Sequence, residues 1–291
     1  MTIHPLLRAG IILAVFTTLC IGAVRLLGGG EPDLPDEKPD SSLSSDHPGF
    51  IRTIEKRYPN SQVDGYNLYI PKSLDSLSDP YPLIVFLQGG YGVGGDVADI
   101  LQWELPAELV DGRAPDPILK SLKYDSFVYL MPHISTGEYY FNVSAFRQML
   151  KEVQDQYHID ANRVYLTGLS RGGHGTWGVA SKMPEQFAAI APIAGGGHGV
   201  TDYEPLADLP IWVAHNKLDE SVLYDRSYSI VKRLERISGD TFHRTETIAS
   251  ADYLNQDRIF TSGSNPTFQH DAWTEVYNSP AFYKWLLRFE R

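Results

Sequence analysis

Val164-Tyr165-Leu166-Thr167-Gly168-Leu169-Ser170-Arg171-Gly172-Gly173 decides how the rest of the chain is read. Val164 to Thr167 has the β-branched and apolar content of a short buried strand. Residues 174–183 read as a helix, and Pro184 marks its end. Between the two lies a serine with glycine two residues before it and two after. Small residues at those positions let a strand turn sharply into a helix while the backbones pack closely. Such a turn exposes Ser170 Oγ and turns the Arg171 backbone N–H toward whatever reacts there. Gly-x-Ser-x-Gly also arises by chance, so the strand–turn–helix setting carries the weight.

Working outward, further strands and helices alternate. Tyr66 to Ile70 alternates like an early strand and stops at Pro71. Leu83-Ile84-Val85-Phe86-Leu87 is a continuous apolar run, expected for a strand buried on both faces. It leads into Gln88-Gly89-Gly90, with more glycine at Gly92, Gly94 and Gly95. Phe127 to Met131 is a second such run, closed by Pro132. Ala145 to Tyr157 carries helical spacing through Phe146, Met149, Leu150 and Val153. Phe187 to Ala194 and Ile211 to Ala214 read as strands, and Ser221 to Ile237 as a helix. A strand near Phe242 to Ile248 and a last helix from about Pro280 to Phe289 complete the pattern. Alternation of this kind predicts an α/β fold with a mostly parallel sheet covered on both faces.

Composition narrows the function. The chain has 291 residues, 43% hydrophobic and 21% charged, which is ordinary for a globular protein. Its net charge of −11 argues against a nucleic-acid partner. Residues 1–30 hold Arg8 and Arg25 and no acid, so the acidity belongs to the body. The single cysteine, Cys20, lies outside that body, which excludes internal disulfides, cysteine-based zinc sites and thiol nucleophiles there.

Ala9 to Val24 is an uncharged run of sixteen residues. A full membrane span needs about 20 residues, so this is a short spanning helix or a signal-peptide core. Its cleavage pattern is poor, which favours an uncleaved anchor over a cleaved signal. Arg8 precedes the run, and Glu31, Asp33, Asp36, Glu37 and Asp40 follow it. This places the body on the extracytoplasmic side, periplasmic or extracellular, and secreted if the segment is cleaved. The expected organisation is an anchor or signal at 1–27, a flexible acidic linker at 28–49 and a catalytic domain at 50–291. One N-terminal apolar helix would then precede the fold.

A serine hydroxyl becomes a nucleophile when a base takes its proton, and the usual base is a histidine oriented by a carboxylate. After a serine on such a turn the order is acid, then histidine. Asp219 lies five residues beyond the strand ending at Ala214, with Glu220 as its competitor; Asp225 falls in the following helix. His270 lies in a loop before the last helix and is the candidate base. His174 is too close to Ser170 in sequence to reach back over it. His198 sits in a glycine loop and can line a pocket. His215 ends a strand, and His243 falls in an apparent strand. Asp271 reads as an ordinary loop residue. Backbone donors for a developing oxyanion are expected from Arg171 and from Gly90 or Tyr91. No metal or organic cofactor is required.

Tyr69-Ile70-Pro71, Pro82 to Gly89, Val164 to Gly173, Pro210 to Asn216 and His270 to Tyr277 together resemble the α/β-hydrolase superfamily. The likeness is to its dienelactone-hydrolase-like and "predicted peptidase" esterases, with polyhydroxybutyrate-depolymerase-like, feruloyl-esterase-like and acetylxylan-esterase-like relatives. It covers about Tyr66 to Leu287. It implies the α/β-hydrolase fold and a serine hydrolase acting on small or polymeric carboxylic esters through Ser170, His270 and Asp219. A peptidase with the same three residues, or a membrane-tethered binding protein on an inactive fold, are the alternatives. Three positions depart from the family pattern: Gln88 stands for a usual histidine, Asn216 for a usual glycine after His215, and Gln269 for a usual glycine before the base. Gln88, Trp273 and His198 are expected to touch substrate. Trp103, Tyr139, Tyr140 and Trp177 can line an acyl site or pack in the core. The long stretch from Ala249 to Gln269 is expected to form a substrate-facing flap.

Overall fold

The computed structural model describes residue 43 and residues 47–74, 79–91, 93–113, 126–136, 142–238 and 269–291. The apolar run Ala9 to Val24, Tyr139, Tyr140, His243, the strand expected near 242–248 and all but the end of the long stretch after Ala249 lie outside these residues.

Among the described residues, six strands form one mixed sheet: β1 (Gly49–Glu55), β2 (Val63–Pro71), β3 (Tyr81–Leu87), β4 (Val128–Ile134), β5 (Ile159–Leu169) and β6 (Ala189–Ile193). Their spatial order is β1-β2-β4-β3-β5-β6. β1 and β2 pair antiparallel, as do β2 and β4; the β4–β3, β3–β5 and β5–β6 pairs are parallel. The strand expected at Ile211 to Ala214 runs parallel beside β6 through isolated bridges at Ile211 and Ala214, not as a full strand. Backbone bonds from Trp212 to Ile190 and from Ala194 to Ala214 keep it aligned.

Among the described residues the α-helices are α1 (Glu104–Val110), α2 (Val143–Gln156), α3 (Arg171–Lys182), α4 (Asp225–Ser238), α5 (Trp273–Tyr277) and α6 (Pro280–Leu286). Alternation along the strands sends side chains to opposite faces. Leu83, Val85 and Leu87 of β3 join one core with Phe146 and Met149 of α2, Trp177 of α3 and Leu234 of α4. Ile84 and Phe86 join a second core with Leu105 and Leu109 of α1, Val276 of α5 and Phe282 of α6. Both sheet faces are therefore covered, which explains why β3 reads as an unbroken apolar run: all seven of its residues are buried.

Several boundaries differ from expectation for physical reasons. β4 continues through Pro132 to Ile134. Its register with β3 ends at Leu130, so at Pro132 the strand has only β2 beside it. A proline is tolerated at such an edge. α4 begins at Asp225, not Ser221, because the Ser221 and Val222 N–H groups bond the Asp219 carboxylate instead. Packing also starts ahead of Phe50. β1 begins at Gly49, and His47 is buried between the carbonyls of Gly49 and Leu109. Among the described residues no helix is long and apolar enough to cross a membrane.

Candidate active site

β5 ends at Leu169 and α3 begins at Arg171, so Ser170 occupies the turn between them. Its backbone has φ 53° and ψ −115°, a conformation that residues other than glycine seldom adopt. Such strain persists where the surroundings over-determine it, and it concentrates at functional sites. Here Ser170 N–H bonds the Ile193 carbonyl of β6 at 2.9 Å, and the Ser170 carbonyl accepts from His174 N–H at 3.0 Å. The flanking glycines make room. A Cβ on Gly168 would lie 2.6 Å from the Gly172 carbonyl oxygen, and one on Gly172 would fall on the carbonyl of Leu87. The strand-to-helix turn is thus pressed against the end of β3, where the Gln88–Tyr91 loop starts.

Asp219 lies in the loop after Ala214 and is 3% exposed. One carboxylate oxygen, Oδ1, accepts the N–H groups of Ser221 and Val222 at 2.8 and 2.9 Å. The other, Oδ2, lies 2.6 Å from His270 Nδ1 and 3.2 Å from His215 Nε2. Burial alone would raise the Asp219 pKa. The bonds from His215, His270 and Val222 outweigh it and hold the carboxyl well below the usual range. An ionised Asp219 can only accept, so His270 Nδ1 carries the proton. Nε2 is then the bare nitrogen, and it lies 2.8 Å from Ser170 Oγ. That arrangement can draw the proton from a hydroxyl and stabilise the imidazolium that results.

The structure brings Ser170, His270 and Asp219 into one hydrogen-bonded chain. Glu220 and Asp225 are exposed. His174 is buried with Nδ1 on the Gly196 backbone, and burial pushes its pKa down to about 4. Asp271 caps the following turn, accepting the N–H and hydroxyl of Thr274. Gly90 and Tyr91 lie in the loop beside the serine turn; a Cβ on Gly90 would meet nothing within 4 Å. Tyr91 is 55% exposed and stacks on Trp103 with ring centroids 5.1 Å apart. Trp103 is thus exposed, whereas Trp177 is core.

The three residues expected to touch substrate take the following places. Gln88 is 2% exposed, and its Oε1 accepts from Ile134 N–H at 3.2 Å, so its side chain braces β4. Trp273 is buried edge-on against the His270 ring at 5.2 Å and supports the base. His198 is exposed beside His174, on the turn after β6.

Two features escaped the sequence reading. His215 reaches Asp219 as well as Val222 O and Ser227 Oγ, and only its adjacency to the acid's loop could have flagged it. Asn216 Nδ2 donates to Gln269 Oε1 at 2.7 Å. Two of the three departures from the family pattern are therefore bonded to each other.

This sheet order, helices on both faces and a serine on a strained strand-to-helix turn define an α/β-hydrolase fold. Its likenesses are to esterases of that fold. No family model matches the chain. It is 27% identical over 126 residues to a bifunctional acetylxylan esterase/xylanase of Neocallimastix patriciarum, covering 41% of this chain and 18% of that protein. It is 46% identical over 50 residues to poly(3-hydroxyalkanoate) depolymerase C of Paucimonas lemoignei, covering 17% of this chain and 12% of the other. Among solved structures, a thermostable esterase aligns with a TM-score of 0.58 and 27% identity over 84% of this chain and 64% of its own. A ferulic acid esterase aligns at 0.50 with 16% identity, over 65% and 85% of the two chains, a likeness of fold. The matches thus span less than a fifth of either curated relative and under two thirds of the thermostable esterase.

Proposed function

We propose that the chain is a serine hydrolase that cleaves carboxylic esters, with Ser170 as nucleophile, His270 as base and acid, and Asp219 as the orienting carboxylate. The observation that carries this reading is the unbroken chain Ser170 Oγ–His270 Nε2–His270 Nδ1–Asp219 Oδ2, with links of 2.8 and 2.6 Å. Ser170 Oγ attacks the ester carbonyl as Nε2 takes its proton. The tetrahedral oxyanion is held by the N–H groups of Arg171 and of Gly90 or Tyr91. His270 then protonates the departing alcohol, leaving an acyl group on Ser170. Water, deprotonated by the same nitrogen, releases the acid. The low Asp219 pKa keeps a full negative charge opposite the imidazolium throughout.

The ester class is supported by the acetylxylan esterase, the thermostable esterase and the depolymerase among the relatives. Acetylated xylan and poly(3-hydroxyalkanoate) are accordingly the first polymers to assay. The uncharged run Ala9 to Val24 supports a tether, with the body at 50–291 on the extracytoplasmic side. Alkaline carbonate extraction of membranes from an expressing cell tests it, since release of the full-length chain excludes the tether.

Hydrolysis of p-nitrophenyl acetate by wild type and Ser170→Ala tests the central assignment. Loss of turnover with retained folding is expected; a variant as active as wild type overturns it.

A further inference from the structure

Glu104 takes no part in the hydrogen-bonded chain above. It opens α1 with φ 58°, in the left-handed region that favours glycine. Its carboxyl accepts a hydrogen bond from the backbone of Gly89. Gly89 precedes Gly90 in the loop assigned the second oxyanion donor. A Cβ on Gly89 would lie 2.7 Å from Leu169 Cδ1 and 3.1 Å from Glu104 Oε1. The carboxyl, the loop and the residue before Ser170 are therefore packed together. Oε1 is buried with no hydrogen-bond partner among the described residues. On the exposed side, the Tyr91–Trp103 stack ties the same two segments a second time. From the base loop Asp271 faces Glu104, and from α5 the Tyr277 phenol does.

We propose that Glu104 is a positioning residue that fixes the Gln88–Tyr91 loop through Gly89 and so sets the second oxyanion donor, an inference that rests on the serine-esterase reading above. Its surroundings favour the neutral acid. Burial is the main cause; the Gly89 bond opposes it and the Asp271 charge adds to it, so the pKa rises from 4.5 to about 8. A carboxylate there would place negative charge beside the site where the oxyanion forms, which disfavours the transition state. Turnover therefore falls as pH rises through about 8.

The test is kcat and KM for p-nitrophenyl acetate from about pH 6 to about pH 9.5, for wild type, Glu104→Gln and Glu104→Ala, with thermal unfolding as the folding control. Glutamine keeps the neutral shape, so near pH 7 kcat stays within about threefold of wild type and the alkaline decline disappears. Alanine frees the loop, and kcat falls about 100-fold with KM changed less than about twofold. A wild-type profile flat through pH 8, the same decline in Glu104→Gln, or a wild-type kcat in Glu104→Ala overturns the proposal. If Glu104→Ala does not fold, the Glu104→Gln profile decides alone. Ser170→Ala run alongside separates the two readings. Undiminished hydrolysis in Ser170→Ala sinks the esterase assignment, whereas Ser170-dependent hydrolysis with unchanged Glu104 variants sinks only the Glu104 proposal.

Discussion

Replacing Asn216 by alanine, Gln269 by alanine, and both together isolates the bond that joins the acid's loop to the base's loop. Asn216 is buried and lies three residues before Asp219; Gln269 is partly exposed and immediately precedes His270. Asn216→Ala removes the 2.7 Å bond to Gln269 Oε1 and the 3.0 Å bond that Oδ1 accepts from Leu218 N–H. At about 0.5–1.5 kcal/mol for each net hydrogen bond, the loss is about 1–3 kcal/mol. Gln269→Ala breaks the shared bond and leaves Asn216 Nδ2 buried without that acceptor, a cost of about 1–3 kcal/mol. The double variant breaks the shared bond once, so its loss falls short of the sum by about 1 kcal/mol. Freed of the clamp, His270 wanders from Ser170, and kcat drops about five- to tenfold while KM holds. Urea unfolding followed by tryptophan fluorescence gives the stabilities, and p-nitrophenyl acetate gives the rates. Strict additivity in both readouts would show that the two amides do not act as a unit, and the clamp would have to be abandoned.

Other expectations follow from the same contacts. His215→Phe removes one donor to Asp219 and the bond to Val222 O, so kcat falls about tenfold with little change in KM; an unchanged kcat would mean that the 3.2 Å contact is idle. Gly172→Ala drives a methyl group onto the Leu87 carbonyl, which backbone cannot yield cheaply, so stability falls by about 1–3 kcal/mol and activity is largely lost. Normal unfolding and normal rates in that variant would contradict the close approach of α3 to β3. Glu104 also makes stability depend on pH. Its folded pKa is raised, so the native state holds the proton more tightly than the unfolded chain. Stability is complete below the ordinary carboxyl range and falls by about 1.4 kcal/mol per pH unit between 4.5 and about 8. Glu104→Gln removes that slope, so the two proteins should diverge in unfolding temperature toward neutral pH; parallel curves would place the carboxyl in solvent.

Much of the fold was legible because burial leaves a compositional trace. β3, with both faces covered, reads as an unbroken apolar run, and Gly168, Gly172 and Gly173 mark a turn that has room for nothing larger. Chain order and the ends of elements point to Asp219 and His270, which the fold brings within hydrogen-bond reach of each other. What escaped depends on contacts between distant residues. Asn216 and Gln269 are 53 positions apart, and each alone looks like a departure from pattern. β1 carries a half-exposed alternation, too weak to separate it from the acidic stretch before it. Trp273 reads as a surface for substrate, and its edge-on contact with the His270 ring has no trace in the sequence. Nothing in the sequence of α1 signals that Glu104 is left-handed and that its carboxyl meets Gly89, a contact between separate segments.

The most direct measurement is the site of covalent capture. The chain is treated with a fluorophosphonate, digested, and its peptides are weighed, with the His270→Ala variant in parallel. The expected result is one phosphonate per chain on Ser170, formed far more slowly without His270. Modification elsewhere, or labelling of Ser170 at an equal rate in the variant, would contradict the assignment of Ser170 as a nucleophile activated by His270 and Asp219.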